Sequence, residues 1–284
     1  MLVLIVTDLD GTLMDEQTYA IEPADAFVQE LVSKGIPVIP CTSKTRAEVE
    51  WICSNFLKMM PPMIVENGSA VWIPPHSIPL FPFPRPPESI QKVFGLTYTE
   101  IRNRFEKLRR ETSWDLVGFG DLSIEAIIRY TGLPETVARR AQKREYSEPV
   151  LRNPDVDPGV FDQRARTFGM RVLEGNRFYH LIGAGADKGV AVQWFRSLFG
   201  LPERKELLII GLGDSPNDVD LLKSVDIPII IPRSRTGQPD PALMHIPGAR
   251  IAPDTGPRGW VEALRKLIPE VLHDGHPPVF NRPS

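Results

Sequence analysis

A doubly wound parallel α/β core, interrupted by a smaller α+β insertion, is the architecture this sequence predicts, and three observations predict it. Short, near-continuous apolar runs recur along the chain. Helical patterns lie between several of them, and the alternation fails over one long middle stretch that opens in a cluster of prolines. Runs without polar alternation suit strands buried on both faces, as parallel sheets require. Alternating strands and helices are the signature of βαβ units.

The elements follow in order. Leu2–Val6 is five apolar residues in succession, the pattern of a central strand. Pro23–Lys34 carries a helical pattern, Ile36–Pro40 is a second strand, Lys44–Phe56 a second helix and Met63–Val65 a third short strand of the parallel sheet. After Trp72-Ile73 come Pro74-Pro75 and further prolines up to Pro87. Each proline removes a ladder donor, so no interior strand runs here; the segment reads as a stiff connection between domains in preference to a PxxP-type peptide ligand. Helices are expected over Tyr98–Thr112 and Ser123–Gly132, and strands around Lys143–Val150 and Met170–Leu173, forming the insertion over the sheet's carboxyl edge. Gly189–Phe199 and Asn217–Ser224 then read as helices, and Leu207–Gly211 and Ile227–Ile231 as strands. Beyond His273 the Gly, Pro and Asn content predicts no fixed structure.

A length of 284 residues suffices for a full core in one or two domains. With 42% hydrophobic and 24% charged residues the composition is that of an ordinary soluble protein, and a net charge of -3 gives nucleic acid no overall basic face. The first apolar run lacks a basic flank and is too short for a signal-peptide core or a membrane span. The expectation is a cytoplasmic protein with neither a membrane nor a nucleic-acid partner. Cys41 and Cys53 form no CxxC pair and have no partnering His cluster, so buried free thiols are expected and structural zinc is not.

Four segments carry chemistry. In Thr7-Asp8-Leu9-Asp10-Gly11-Thr12-Leu13 two carboxylates at i and i+2 fall on one side of a strand end, at the edge where open α/β sheets keep their ligands. Two like charges side by side cost free energy unless a cation lies between them, so the pair asks for a metal. In Cys41-Thr42-Ser43-Lys44 a hydroxyl and a helix N-terminus suit a phosphate oxygen, although a plain N-cap explains the same residues. Ala186-Asp187-Lys188-Gly189 puts a lysine in a first helical turn, against the helix dipole; an isolated surface lysine is the simpler alternative. Gly211-Leu212-Gly213-Asp214-Ser215-Pro216-Asn217-Asp218 combines a tight glycine turn with two more carboxylates, for which helix capping is the alternative. A donor set of hard oxygens without His or Cys suits Mg²⁺ and not zinc.

In this order the four segments, DxDGT, a Thr or Ser after the second strand, a Lys, and GDxxND, resemble the haloacid dehalogenase superfamily of phosphotransferases. The resemblance implies a Rossmann-like doubly wound core over 1–84 and 176–284. A C2-type α+β cap, over 85–175, falls between the second and third segments, as in the Cof-like and sucrose-phosphatase branches. It implies Asp8 as the nucleophile, forming an aspartyl-phosphate, and Asp10 as the general acid and then the base. Thr42 and Lys188 would hold and neutralise the transferring phosphoryl group, with Mg²⁺ on Asp8, the Asp10 carbonyl and Asp214, and Asp218 beside it. An acid at position 10 speaks against a dehalogenase, which has no leaving alcohol to protonate. The short stretch between Asp10 and Thr42 leaves no room for the small helical cap of a mutase.

Within the C2-capped group four segments resemble the phosphatases of mannosyl-3-phosphoglycerate: Thr42-Ser43-Lys44-Thr45-Arg46-Ala47-Glu48, Val65-Glu66-Asn67-Gly68-Ser69-Ala70, Arg144-Glu145-Tyr146-Ser147-Glu148-Pro149 and Gly175-Asn176-Arg177-Phe178-Tyr179-His180-Leu181. A small phosphorylated sugar-glycerate carries a phosphate, a carboxylate and hydroxyls. Its candidate contacts are Arg144, Ser147, Glu148, Arg177 and His180 in the insertion, Glu66, Asn67 and Gly68 at the seam, and Ser43 and Asn217 beside the phosphoryl group. Each has a plain alternative, such as a surface ion pair for Arg144-Glu145, a turn at Ser147 or Asn67-Gly68, or a satisfied core histidine at His180. Glucosyl-3-phosphoglycerate differs only in sugar stereochemistry, and no residue in the sequence separates the two. Sucrose-6-phosphate is disfavoured by Ser147-Glu148-Pro149, and a non-catalytic binding protein by the intact Asp8, Asp10, Lys188 and Asp214.

Overall fold

The computed structural model describes residues 2–75, 88–175, 178–198 and 207–273. Most of the proline-rich connector, Arg177 and the tail after His273 lie outside the described residues. In chain order the core opens with β1 (Leu2–Thr7), α1 (Ala24–Ser33), β2 (Val38–Pro40), α2 (Arg46–Ile52), β3 (Met63–Val65), β4 (Ala70–Ile73) and β5 (Ile90–Val93). The insertion follows as α3 (Tyr98–Thr112), α4 (Ile124–Thr131), α5 (Glu135–Ala141), β6 (Ser147–Leu151), α6 (Pro158–Thr167), β7 (Met170–Glu174) and β8 (Phe178–Gly183). The chain closes with α7 (Lys188–Leu198), β9 (Leu207–Gly213), α8 (Val219–Lys223), β10 (Ile227–Ile230), β11 (Arg250–Ile251) and α9 (Gly256–His273).

Among the described residues the central sheet has five parallel strands in the order β11-β10-β9-β1-β2. Alternation along β1 explains why its run is apolar throughout. Val3 and Ile5 face one hydrophobic layer with Phe27 of α1, Val49 of α2 and Trp260 of α9, while Leu4 and Val6 face another with Val192 and Phe195 of α7 and Leu221 of α8. A strand covered by helices on both sides has no face for polar residues. Met63–Val65, expected as one more parallel strand, joins the sheet only through a bridge from Ile64 to Cys41 and otherwise pairs antiparallel with β4 in a second sheet, β3-β4-β5. Three apolar residues announce a buried strand but not the direction of its partner. Cys41 and Cys53 are buried free thiols, and among the described residues no helix is long and apolar enough to cross a membrane.

The insertion builds its own sheet, β6-β8-β7, all antiparallel, so the sheet runs past residue 175, the boundary expected above. Val150, Tyr179, Leu181 and Met170 pack on Phe105 of α3 and Phe161 of α6. The period of two then turns Ser147, Pro149, Phe178 and His180 to the opposite face, and three of these, Pro149, Phe178 and His180, line a cavity at the end of β1. Chain entry and exit cross closely: a Cβ on Gly183 would stand 2.6 Å from the backbone nitrogen of Leu96.

The end of β1 is held from beneath. The Trp260 indole N–H donates to Thr7 Oγ1 at 3.0 Å, and the Thr7 hydroxyl donates to the Asp8 carbonyl at 2.8 Å, all buried. Trp260→Phe keeps an aromatic ring but removes both the donor and the volume of the indole's second ring at a fully buried position. The expected outcome in urea denaturation is a loss of about 2–4 kcal/mol, from the lost hydrogen bond and the cavity together, with an unchanged m-value.

Candidate active site

Asp8 follows β1 directly, with its backbone N–H on the Leu212 carbonyl at 2.9 Å, so the first and fourth segments lie side by side at the carboxyl edge. Gly11 turns the chain with φ +80°, and a Cβ there would meet Asp214 Oδ2 at 2.5 Å. Only glycine allows that close approach without strain. Asp8, Asp214 and Asp218 place one oxygen each within 4.8 Å of one another, all buried. Lys188, at the start of α7 and 1% exposed, sits between two of them: Nζ lies 2.7 Å from Asp8 Oδ1 and 2.6 Å from Asp218 Oδ1. A lysine opposed by the helix dipole is thus compensated by two carboxylates, which hold its ammonium above the usual lysine range despite burial.

The three acids are not equivalent. Asp218 Oδ2 accepts from the backbone N–H groups of Asp214 and Ser215 at 3.0 and 3.1 Å, and Oδ1 takes Lys188, so both its oxygens are engaged. Asp214 Oδ1 accepts from Thr12 at 3.3 Å. Burial raises the Asp8 carboxyl to about 7; Lys188 works against the shift, and Asp218 and Asp10 reinforce it. Asp214 is raised for the same reasons, burial first and then Asp218 and Asp8.

Asp10 points elsewhere, with Oδ2 2.8 Å from Lys44 Nζ and Oδ1 buried without a partner. Lys44 is 8% exposed, and Asp10 and Glu48 hold its charge against burial. Neither it nor Glu48 was singled out above; the only sequence signal was their i,i+4 spacing in a segment quoted for its likeness. Thr42 is fully buried, its hydroxyl accepting the Lys44 N–H at 3.2 Å. Asn67, in a left-handed conformation with its neighbours Glu66 and Gly68, donates its N–H to the Thr42 carbonyl at 2.9 Å and accepts from Asn217 Nδ2 at 3.0 Å. That turn is pressed on the start of α7: a Cβ on Gly68 would stand 2.1 Å from the Asp187 carbonyl oxygen.

Asp8, Asp10, Ser43, Arg144, His180 and Asn217 all border the cavity between core and cap, with Lys44, Tyr19, Phe119 and Phe178 beside them. Glu66, Asn67, Gly68, Ser147 and Glu148 are not among its described lining residues. Glu66 instead clamps the cap. Its carboxylate accepts from the N–H groups of Glu145 and Tyr146 at 2.9 and 3.1 Å and from the Ser147 hydroxyl at 2.5 Å. Glu148, one residue further along β6, faces the cap interior and takes Arg102 Nη1 and the Gly120 N–H, both at 2.8 Å. Arg144 spans the seam to the Ser43 carbonyl at 2.8 Å. Arg177 lies outside the described residues.

A parallel sheet whose carboxyl edge gathers buried acids around one lysine, beside an inserted α+β unit, supplies the positioned charges that phosphoryl transfer needs. Residues 5–93 match the family model of haloacid dehalogenase-like hydrolases. The chain is 37% identical over 270 residues to the glucosyl-3-phosphoglycerate/mannosyl-3-phosphoglycerate phosphatase of Persephonella marina, covering 94% of this chain and 98% of that one. To the protein of the same name from Methanococcoides burtonii it is 37% identical over 275 residues, covering 93% and 97%. A haloalkanoate-superfamily phosphatase of Bacteroides thetaiotaomicron shares the fold, with a TM-score of 0.67 at 16% identity over 94% of this chain and 95% of that one. The chain belongs to the haloacid dehalogenase-like hydrolases. It is a phosphoric monoester hydrolase.

The raised Asp8 carboxyl sets a sign for stability. Unfolded, Asp8 releases its proton near 3.8; folded, it keeps the proton to about 7. Folding therefore takes up a proton across that window, and Asp8's contribution to stability falls as pH rises through it, with no further loss above. His180, held neutral by burial, acts with the opposite sign, so the wild-type profile mixes both. The difference between Asp8→Asn and wild type in EDTA cancels His180 and reads Asp8 together with the neighbouring Asp214, whose carboxyl Asp8 helps to raise. Its expected course is near zero at pH 4, increasing stabilisation of the variant up to pH 7 and a plateau beyond, read from urea midpoints; a flat difference would contradict the charge-crowded site.

Proposed function

We propose that the substrate is a glycosyl-3-phosphoglycerate, mannosyl-3-phosphoglycerate first and its glucosyl counterpart second, hydrolysed to the glycosylglycerate and phosphate. The observation that carries this reading is that Asp8, held by the buried Lys188, borders the cavity beneath the insertion together with Lys44 and Arg144, two cations suited to a carboxylate. The names of the two relatives support the substrate class.

Lys188 engages Asp8 Oδ1, which leaves the second oxygen to attack phosphorus. As that bond forms, the bond from phosphorus to the leaving oxygen breaks, and Asp10 delivers a proton to that oxygen. Asp10 then takes a proton from water, whose oxygen attacks phosphorus and expels Asp8 as a free carboxylate with phosphate as the product. Lys188 and the Thr42 hydroxyl hold the phosphoryl oxygens, where positioning and charge neutralisation supply most of the rate.

When all three are ionised, the buried carboxylates leave the cluster two charges short of neutrality against one lysine, and its donors are all hard oxygens. That set fits Mg²⁺. Asp8 and Asp214 would hold the ion, aided by the Asp10 carbonyl, while Asp218, with both oxygens engaged, orients Lys188 and the loop. When bound, Mg²⁺ supplies the charge that lets a dianionic phosphate approach Asp8.

Phosphate release is to be measured with Mg²⁺ and with EDTA on mannosyl-3-phosphoglycerate, glucosyl-3-phosphoglycerate, sucrose-6-phosphate and simple hexose phosphates. Metal-dependent turnover favouring the two glycosyl-phosphoglycerates is expected; turnover of hexose phosphates alone would overturn the substrate. Asp8→Asn should reduce kcat by a factor on the order of 10⁴ or more while the protein remains folded. Mg²⁺ should also raise the melting temperature of the wild type more at pH 7.5 than at pH 5, because below about 7 protons compete for Asp8.

A further inference from the structure

The two carboxylate oxygens of Asp10, the group that has to hand a proton to the leaving oxygen, are differently placed. Oδ1 is buried without a partner, whereas the side chain as a whole is 30% exposed and borders the cavity. Oδ2 is thus the oxygen left to meet a substrate, and Lys44 Nζ occupies it at 2.8 Å. An oxygen that accepts from an ammonium is poorly placed to donate to a second oxygen. Held in this way, Asp10 does not serve the leaving group.

Lys44 has the means to let go. Its ammonium has other favourable neighbours, Glu48 Oε1 at 4.0 Å and the face of the Tyr19 ring, whose centroid is 5.5 Å away. The side chain forms part of the wall between the substrate cavity and a second, mainly apolar cavity bordered by Met14, Trp51 and Ile52. Space on both sides and a flexible aliphatic stem let the ammonium swing without repacking the core. Across the seam Arg144 is the second cation, fixed on the Ser43 and Ala141 carbonyls at 2.8 Å, over the Phe119 ring, and 3.9 Å from Glu48. Glu48 is itself held by the N–H and hydroxyl of Thr45 at 2.9 and 3.0 Å. Of the two carboxylates beside Lys44, Asp10 is the one that can be exchanged.

We propose that Lys44 is a positioning residue that latches Asp10 until a carboxylate on the leaving alcohol takes Asp10's place on the ammonium, so that esters carrying such a carboxylate free the acid and others do not. This rests on the substrate class proposed above. In a 3-phosphoglycerate a single carbon separates the carboxyl carbon from the carbon that bears the phosphate, so a leaving oxygen at Asp10 brings the carboxylate close to Lys44. As the carboxylate accepts from Nζ, Oδ2 is released; with a proton taken from solvent it protonates the leaving oxygen while the bond from phosphorus to that oxygen breaks. Discrimination then falls on the chemical step and not on binding alone.

Single-turnover rates at saturating enzyme separate that step from binding. They are measured on two pairs that differ in the carboxylate, 3-phosphoglycerate against glycerol 3-phosphate and mannosyl-3-phosphoglycerate against its methyl ester, and on p-nitrophenyl phosphate, whose leaving group needs little protonation. General acid catalysis contributes on the order of 10²–10⁴, so in the wild type the carboxylated member of each pair is expected to react about ten-fold faster or more. Lys44→Met keeps the stem and removes the charge. In this variant the carboxylate-free esters should speed up by about three-fold or more, p-nitrophenyl phosphate should gain less, and the ratio within each pair should shrink accordingly. Lys44→Arg should restore part of the discrimination, with thermal melting as the check on folding. A lysine that only binds the carboxylate would leave the carboxylate-free esters no faster in Lys44→Met, and that result would overturn the latch. Equal saturated rates within both wild-type pairs would overturn it without any variant; either outcome leaves the substrate class standing. A wild-type enzyme silent on both glycosyl-3-phosphoglycerates yet active on hexose phosphates would remove the substrate reading, and the latch with it.

Discussion

Lys188 is the constraint around which the site is organised. It bridges Asp8 and Asp218, which lie far apart along the chain, and does so almost without solvent. Removing the lysine would leave buried carboxylates uncompensated, which costs several kcal/mol, so the segments that deliver these residues have little freedom. The glycines around them record how closely the backbones converge. Side chains on Gly11, Gly68 and Gly213 would run into Asp214, the Asp187 carbonyl and Asp218, respectively.

The same cluster is deliberately short of positive charge. One lysine among three carboxylates stabilises an ordered loop but leaves Asp8 reluctant to ionise, an arrangement that suits a protein waiting for a cation and a dianion to arrive together. Strain of this kind is common at sites built for chemistry, where stability is given up for function.

Attachment of the cap is a separate problem, solved by polar groups at the seam. Glu66 takes two backbone N–H groups and a hydroxyl of the cap, Arg144 reaches the Ser43 carbonyl, and on the opposite side Arg171 lies 3.4 Å from both Asp187 and Asp220. Asp187 immediately precedes Lys188, so the contact that seats the cap also touches the start of the helix that carries the central cation. Cap position and the charge cluster are thereby mechanically adjacent, which is what an enzyme needs if closure over a substrate is to register at the reacting atoms.

Local chemistry made much of this legible. The oxygen-only donor set and the misplaced lysine at a helix start are each statements about a few consecutive residues; the Asp8 and Asp10 pair was legible only in part, because beyond the strand end Asp10 turns its carboxylate to Lys44 and Asp8 joins Asp214 and Asp218 instead. The doubly wound core follows for the same reason, because a strand apolar at every position has to be covered on both faces. Faces within the cap were not legible in that way. Ser147, Glu148 and Pro149 look equally available in the sequence, yet the period of two sends Glu148 to Arg102 and Pro149 to the cavity, and only pairing with β8 sets which parity faces the site. Lys44 was hidden because its partner Asp10 lies across the sheet edge, and Glu66 because its carboxylate is used up by residues some eighty positions away. By itself the sequence determined the fold class and the kind of chemistry, since both rest on local periodicity and on which groups bear charge. The tertiary structure decided which of those groups meet, because hydrogen bonds and ion pairs reach only a few ångströms and the chain distances between these partners say nothing about distance in space.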